Sequence, residues 1–383
     1  MTRDARLVFV AKTVRTFCYG FLGILFPVYL TDQGLDARGL GLAVTLTLLA
    51  SAGLTLAVRR PAERWGARLV LILLAGLITL SAVMFLVAHQ PWMVVAAAMV
   101  GNLAVGTGET GPFLALEQVV VARAASRERL TLVLGQYYLI GYAAGAVGAA
   151  LVGQAGAAPW VFFTVFLVSG IVQVVVYALM RPSAPASAGS ARGSAQDSSP
   201  LVRKLAALFA LDSLAGGFIL QTLVAYWFYT RYELPIASLG WIFFGAQLLS
   251  GLSLLLAARL APRLGLVNTM VFSHLVSNVL VILLAFAPSV MVAVPLLWAR
   301  HLLSQMDVPT RQAFLMLVVP DHERERAASL TNTTRTVAQA VSPAVTGWVI
   351  QSVSLSAPFV LGGGLKIVYD LLLYATIRRV RVG

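Results

Sequence analysis

Runs of about 20 mostly apolar residues recur along this chain, and each is long enough to cross a bilayer as a helix. At 1.5 Å rise per residue, about 20 residues cover the roughly 30 Å of hydrocarbon. Such runs lie near residues 7–30, 39–58, 68–88, 91–122, 130–155 and 159–180. They resume near 203–230, 237–258, 266–287, 290–319, 327–352 and 357–377. Within lipid every backbone N–H and C=O must find a partner inside the protein, which makes runs of this length helices. The composition agrees: 59% of the 383 residues are hydrophobic and 11% charged, where a soluble domain carries about 25% charged residues. A water-soluble enzyme, a disordered chain and a disulfide framework are excluded. The lone cysteine, Cys18, has no partner for an intrachain bridge.

The first run is too long for a cleavable signal and ends on Phe26-Pro27-Val28-Tyr29-Leu30 rather than on small residues, so it is expected to be retained. Between the two sets of six runs, Arg181 to Ser199 is rich in Ser, Ala, Pro and Gly, a composition that stays flexible and polar. The expected organisation is an N-terminal bundle over 1–180, a linker over 181–202 and a C-terminal bundle over 203–383. The net charge of +13 would suggest nucleic acid in a soluble protein. Its placement points elsewhere. With a cytoplasmic N-terminus, 20 Lys and Arg fall on inner segments and two, Arg38 and Arg231, on outer ones. The positive-inside rule then puts both termini and the linker in the cytoplasm, in a multi-pass protein of the plasma membrane with no nucleic-acid partner.

The halves repeat. At an offset of 197, Gly20-Phe21 falls on Gly217-Phe218, Tyr29 on Tyr226, Pro112 on Pro309 and Glu128-Arg129 on Glu325-Arg326; at 199, Gly66 falls on Gly265. Two parallel six-helix repeats with cytoplasmic termini and a long linker resemble the major facilitator superfamily of secondary transporters, in its bacterial, drug- or metabolite-proton antiporter form. The resemblance covers essentially the whole chain. Its loop between helices 2 and 3 is partly kept as Glu63-Arg64-Trp65-Gly66-Ala67-Arg68, without the leading glycine; the second copy, Pro262-Arg263-Leu264-Gly265, has lost the acid. The resemblance implies an all-α fold of twelve transmembrane helices in two pseudo-symmetric bundles. It implies too that Glu63, Arg64, Gly66 and Arg68 gate, latching helix 2 to the other half, and that spans 1, 4, 7 and 10 line a central cavity. Gly141, Gly145 and Gly148 in span 5 allow close helix packing, but the proline of the antiporter motif is replaced by Ala146.

Charges inside spans are costly, at least about 2.5–3.5 kcal/mol each when unpaired, and therefore face a cavity or a partner. They are Lys12 and Arg15 in span 1, Glu109 and Glu117 in span 4, and Asp212 in span 7. Span 10 adds Arg300, Asp307 and Arg311, span 11 Arg335, and span 12 Lys366 and Asp370. Arg15, Glu109, Asp212 and Asp307 fall at similar depth, about 12–20 Å from the cytoplasmic end, and all four are expected to face the space between the halves. Arg300, Ser304, Asp307 and Arg311 share one helix face, as do Asn102, Gly106 and Glu109. Arg15 and Asp212 occupy equivalent repeat positions. Each can pair within its own half, Arg15 with Glu109 and Asp212 with Arg311, or the two can meet across the seam. Glu117 is expected to snorkel or pair with loop arginines, Lys366 to pair locally with Asp370, and His301 to pack. The remaining histidines are scattered, and no metal site or cofactor is expected.

No phosphate-binding Gly-x4-Gly-Lys-Ser/Thr loop occurs, so an ion gradient is the expected energy source. Glu109, Asp212 and Asp307 are the candidates for proton coupling, because a carboxylate beside an arginine forms a bridge that protonation can break. Arg15, Tyr19, Asn102, Phe113, Tyr226, Arg300, Ser304, Arg311 and Arg335 are the candidate cavity-lining residues. A monomeric, non-enzymatic transporter is expected, exporting a small amphipathic compound or metabolite in exchange for protons. The alternatives are a proton symporter importing an organic solute, with Arg15 and Arg311 reading an anionic group, and a non-transporting membrane sensor.

Overall fold

The computed structural model describes residues 2–106, 111–124, 130–155, 158–182, 200–319 and 324–377. Most of the linker and Glu109 lie outside the described residues. The N-terminal half runs α1 (Arg3–Asp32), α2 (Ala37–Ala57), short α3 (Arg59–Trp65), α4 (Ala67–Val87), α5 (Pro91–Val100), α6 (Pro112–Ala124), α7 (Leu130–Ala155) and α8 (Pro159–Ala178). The C-terminal half runs α9 (Pro200–Gly217), α10 (Gln221–Tyr232), α11 (Ile236–Leu264), α12 (Leu266–Ala285), α13 (Val290–Ser304), α14 (Asp307–Val318), α15 (Arg324–Ser352) and α16 (Ala357–Ile377). Twelve spans result, because spans 4, 7 and 10 are each built from two helices. The second half begins its helix at Pro200, three residues before the expected start.

Nine spans among the described residues are long and apolar enough to cross a membrane on composition alone. The three that fall short are span 4 (α5 and α6), span 10 (α13 and α14) and span 11 (α15). Two causes act: spans 4 and 10 are broken into helices too short to cross alone, and the unbroken α15 carries Asn332, Arg335 and Gln339 at positions that lipid would reject. The break in span 4 follows from its glycine-rich run. Asn102 sits at φ 51° and Gly111 at φ 104°, left-handed backbone that ends α5 and precedes Pro112, which starts α6 with the fixed φ that suits a first helical position.

The repeat is visible in the backbone. Gly66 and Gly265 take φ/ψ of 82°/155° and 85°/152°, so the same left-handed residue turns the chain into α4 and into α12. A side chain at either place would be strained.

The halves meet tightly on the side opposite the termini. There α2 lies on α15 so closely that a Cβ on Gly41 would stand 2.3 Å from the Pro343 carbonyl oxygen, and one on Gly347 2.3 Å from that of Ala37. Gly240 of α11 meets Gly153 of α7 in the same way, at 2.3 Å from its nitrogen. Backbone-to-backbone packing of this kind is how helices associate in lipid, where apolar burial supplies no extra drive. Hydrogen bonds add to the seam. The Tyr229 hydroxyl donates to Asp32 (2.8 Å), the Ala344 N–H to Thr45 (2.9 Å), and the Thr222 hydroxyl to the Val105 carbonyl freed by the break in span 4 (3.0 Å). Towards the terminal side the halves part around a cavity of about 480 Å³, whose lining includes the exposed Ala115, Asn332 and Thr336. The structure is open on the side of its termini and closed on the other.

Replacing Gly347 with Val should force this seam apart, at a cost of about 1–3 kcal/mol typical of overpacking. With Cys18 changed to Ser and spin labels at positions 35 and 354, the inter-label distance should lengthen. A distance matching the unsubstituted glycine would refute the closure argument.

Candidate functional site

The cavity floor belongs mostly to the C-terminal half. Asp212 on α9 is buried, and its two oxygens face different partners: Lys366 Nζ of α16 at 2.6 Å and Arg311 Nη1 of α14 at 2.9 Å. The same Arg311 nitrogen donates to Asp307 at 2.8 Å, one turn away on its own helix. Two carboxylates and two cations thus form one bridged quartet, and all four line the cavity. His274 of α12 joins it. Its Nδ1 is 2.8 Å from Asp370, and that carboxylate also accepts from Asn278 (2.9 Å). With Nδ1 donating to Asp370, Nε2 is left as the acceptor facing Lys366 Nζ (3.4 Å), with Asp212 at 3.8 Å. The expected local pair of Lys366 with Asp370 is therefore corrected: each reaches to a different helix, because Asp212 and His274 present closer partners from neighbouring spans.

Two further arginines line the cavity. Arg335 on α15 donates its Nε to Ser213 at 3.0 Å. Arg300 on α13 places Nη1 3.2 Å from His301 Nε2, while His301 Nδ1 meets the Ser250 hydroxyl at 2.9 Å and that hydroxyl donates to the Ala246 carbonyl at 2.9 Å. His301 is thus a positioning residue as well as a packed one. Ser304 also lines the cavity, and Tyr142 of the opposite half reaches Gln305 beside it (2.8 Å).

The N-terminal half presents a different picture. Arg15 does not face the cavity; it is fully buried within its own half. Its two terminal nitrogens meet both oxygens of Glu117 (2.6 and 3.2 Å), and Nη1 also meets Tyr177 (2.8 Å) and Gln173 (3.3 Å). Tyr137 and Tyr177 each donate to Glu117 at 2.5 Å. Phe113 lies 4.2 Å beneath the guanidinium and stacks on Tyr177. Three expectations are corrected here. Arg15 and Phe113 belong to a sealed cluster, and Glu117 neither snorkels nor serves loop arginines, because α1, α6, α7 and α8 converge to satisfy it. Span 1 instead turns Lys12, Thr16, Tyr19 and Gly20 to the cavity, with Lys12 Nζ 4.5 Å over the Tyr137 ring. Tyr19 donates to the Asn102 carbonyl (3.1 Å).

Asn102 and Tyr226 do not line the cavity. Asn102 is buried at the span 4 break, and Tyr226 lies in α10 within the closed side, 7% exposed. In the gating loop Glu63 and Arg64 are exposed, and Gly66 makes the turn described above. Arg68 donates to the Ala178 carbonyl at 2.7 Å, tying span 3 to span 6 inside one half rather than latching across. Its Cα sits at the start of α4, beside the end of α8 and away from the seam. Lys12 and Lys366, named from the sequence as charges within spans but not as lining residues, and His274, one of the scattered histidines, also line the cavity. The 4, 3 spacing of Lys12, Thr16 and Tyr19 marks the inward face of span 1 and would have found the first.

The chain matches the family model for the Major Facilitator Superfamily over residues 8–299 and 206–382. An uncharacterized membrane protein of Saccharomyces cerevisiae is 21% identical over 418 residues, covering 97% of this chain and 93% of that one. Among solved structures, the nucleoside transporter NupG superposes with a TM-score of 0.73 at 14% identity, over 99% of this chain and 100% of that one. A D-xylose-proton symporter superposes at 0.72 and 13% identity, over 96% and 97%.

Truncating Arg15 to Ala should strand Glu117 in a dry interior and cost about 3–5 kcal/mol of stability. The paired change Arg15→Met with Glu117→Leu should cost less than either single change. Thermal unfolding in detergent checks this, and additive losses would contradict the pairing.

Proposed function

The chain belongs to the Major Facilitator Superfamily of membrane transporters, and on that premise we propose that it is a proton-coupled secondary transporter working by alternating access. A small solute occupies the central cavity, in a plasma-membrane protein whose termini and linker are cytoplasmic, so that this conformation faces inward. The observation that carries the coupling is the quartet of Asp212, Asp307, Arg311 and Lys366 at the cavity floor. A transporter of the same fold is a D-xylose-proton symporter.

The groups facing each carboxylate define the device. Asp212 is met by Arg311 from α14, Lys366 from α16 and His274 from α12, with Arg335 of α15 in electrostatic range. Asp307 is met by Arg311. While both carboxylates are ionised, Arg311 and Lys366 are engaged. A proton on either carboxylate releases a cation to the cavity. Proton and solute then bind together rather than in exchange, which favours symport and import over the export by antiport that the sequence suggested. A wall of Tyr19, Tyr138 and Tyr142 suits an amphipathic guest in either direction, and this keeps antiport as the second reading.

In proteoliposomes with an imposed pH gradient, symport concentrates the solute in the more alkaline compartment whichever way the protein is inserted; antiport concentrates it in the acidic one. Asp307→Asn should abolish gradient-driven accumulation, with equilibrium exchange still measurable. Full gradient-driven accumulation in that variant would remove Asp307 from the coupling device, and accumulation on the acidic side would favour antiport.

A further inference from the structure

The quartet is electrically closed, with two carboxylates and two cations. Beyond it, Arg300 and Arg335 line the same cavity, and among the described residues neither is bridged to a carboxylate. Arg335 has a neutral hydroxyl, Ser213, as its hydrogen-bond partner, and Arg300 has the neutral ring of His301. The relay from Arg300 through His301 and Ser250 to the Ala246 carbonyl fixes the guanidinium with donors and acceptors that carry no charge. Lys12 adds a further cation from the facing half, over the Tyr137 ring. Among the described residues Arg300 and Arg335 are therefore the surplus, two cations outside the quartet with no carboxylate bridged to them.

That surplus is costly to keep. An uncompensated charge at this depth is unfavourable, and an arginine presents a planar fork suited to two oxygens of one oxyanion. Held in place without a countercharge, such groups fit a guest that supplies it. The wall also carries apolar and aromatic side chains, Leu48, Tyr138, Ile219, Leu220 and Leu254, among neutral polar ones such as Gln118, Gln247 and Gln339, and about 480 Å³ is space for a small organic molecule.

We propose that the transported solute is an organic anion, with a carboxylate or phosphate group held by Arg335 and Arg300 and an apolar body against the aromatic wall. This rests on the transporter function proposed above, and it names the chemistry of the occupant.

The test is direct binding, read as thermal stabilisation of the purified full chain in detergent at pH 7.5, with no gradient. The probes share one apolar body: phenylacetate, phenyl phosphate, phenylacetamide and benzyltrimethylammonium. One or both anions at millimolar concentration should raise Tm by several degrees and do so saturably, while the amide and the ammonium leave it in place. A response to one anion alone tells carboxylate from phosphate. Arg335→Gln and Arg300→Gln should each weaken anion binding at least tenfold, with partial recovery in the corresponding Lys variants, which keep the charge and guard against a merely unfolded glutamine variant. Stabilisation by the amide or the ammonium equal to that by the anions would overturn the proposal. So would wild-type anion affinity in both glutamine variants, or no response to either anion. Because no proton gradient enters, failure of proton-driven transport alongside intact anion binding would sink the coupling device and leave the substrate class standing.

Discussion

Asp212 holds the C-terminal half together at the point where the protein must also work. One carboxylate, buried on α9, receives Lys366 from α16 and Arg311 from α14, and lies 3.8 Å from the His274 ring of α12. A lone carboxylate at that depth would be neutralised or excluded, and an ion pair there survives only if its geometry is good and its remaining valences are filled. The structure fills them from three other spans. The bonds that order α9, α12, α14 and α16 around one point are the same set to which the proposed coupling assigns the proton.

Duplication gives the N-terminal half a cluster at the equivalent place, with the charges reversed. Arg15 stands where Asp212 stands in the repeat, and each inserts between the fourth and sixth spans of its own half. Arg15 meets one carboxylate bidentately, two tyrosine hydroxyls cap that carboxylate, and Arg15 and Glu117 are both inaccessible to solvent. Nothing is left over to respond to a proton or a solute. The second cluster has two carboxylates sharing one arginine nitrogen and opens onto the cavity. One cluster is sealed within its half, and the other opens onto the cavity.

Much of this was legible in the sequence, for reasons particular to each residue. Run length and the 197-residue offset give the twelve spans and the repeat, because lipid thickness and duplication act on the chain directly. Asp212, Asp307, Arg311, Arg300 and Arg335 were legible as cavity residues because lipid tolerates them nowhere else. Depth alone misplaced Arg15. It lies at the level of Asp212, but three residues, about 60° short of a full turn, separate it from Lys12, and that angle decides whether a side chain enters the cavity or the bundle. Glu117 was misread for a related reason: its partners Arg15, Tyr137 and Tyr177 come from spans 1, 5 and 6, and a single sequence does not say which spans touch. His274, Lys366 and Asp370 form their network across α12, α16 and α9, so only the fold brings them together.

The distribution of bonds between and within the halves bears on how the protein moves. Every ion pair among the described residues is made inside one half: Arg15 with Glu117 in the first, and the Asp212, Asp307 and Asp370 bridges in the second. Across the seam on the closed side lie glycine contacts and a few hydrogen bonds whose donors are neutral. Each such bond exchanges readily for one to water, at a net worth of about 0.5–1.5 kcal/mol, whereas parting buried ions costs several kcal/mol. Among the described residues, rocking the halves therefore separates no ion pair. What holds the closed side among the described residues is packing and hydrogen bonding, and the expensive electrostatics lie inside each half.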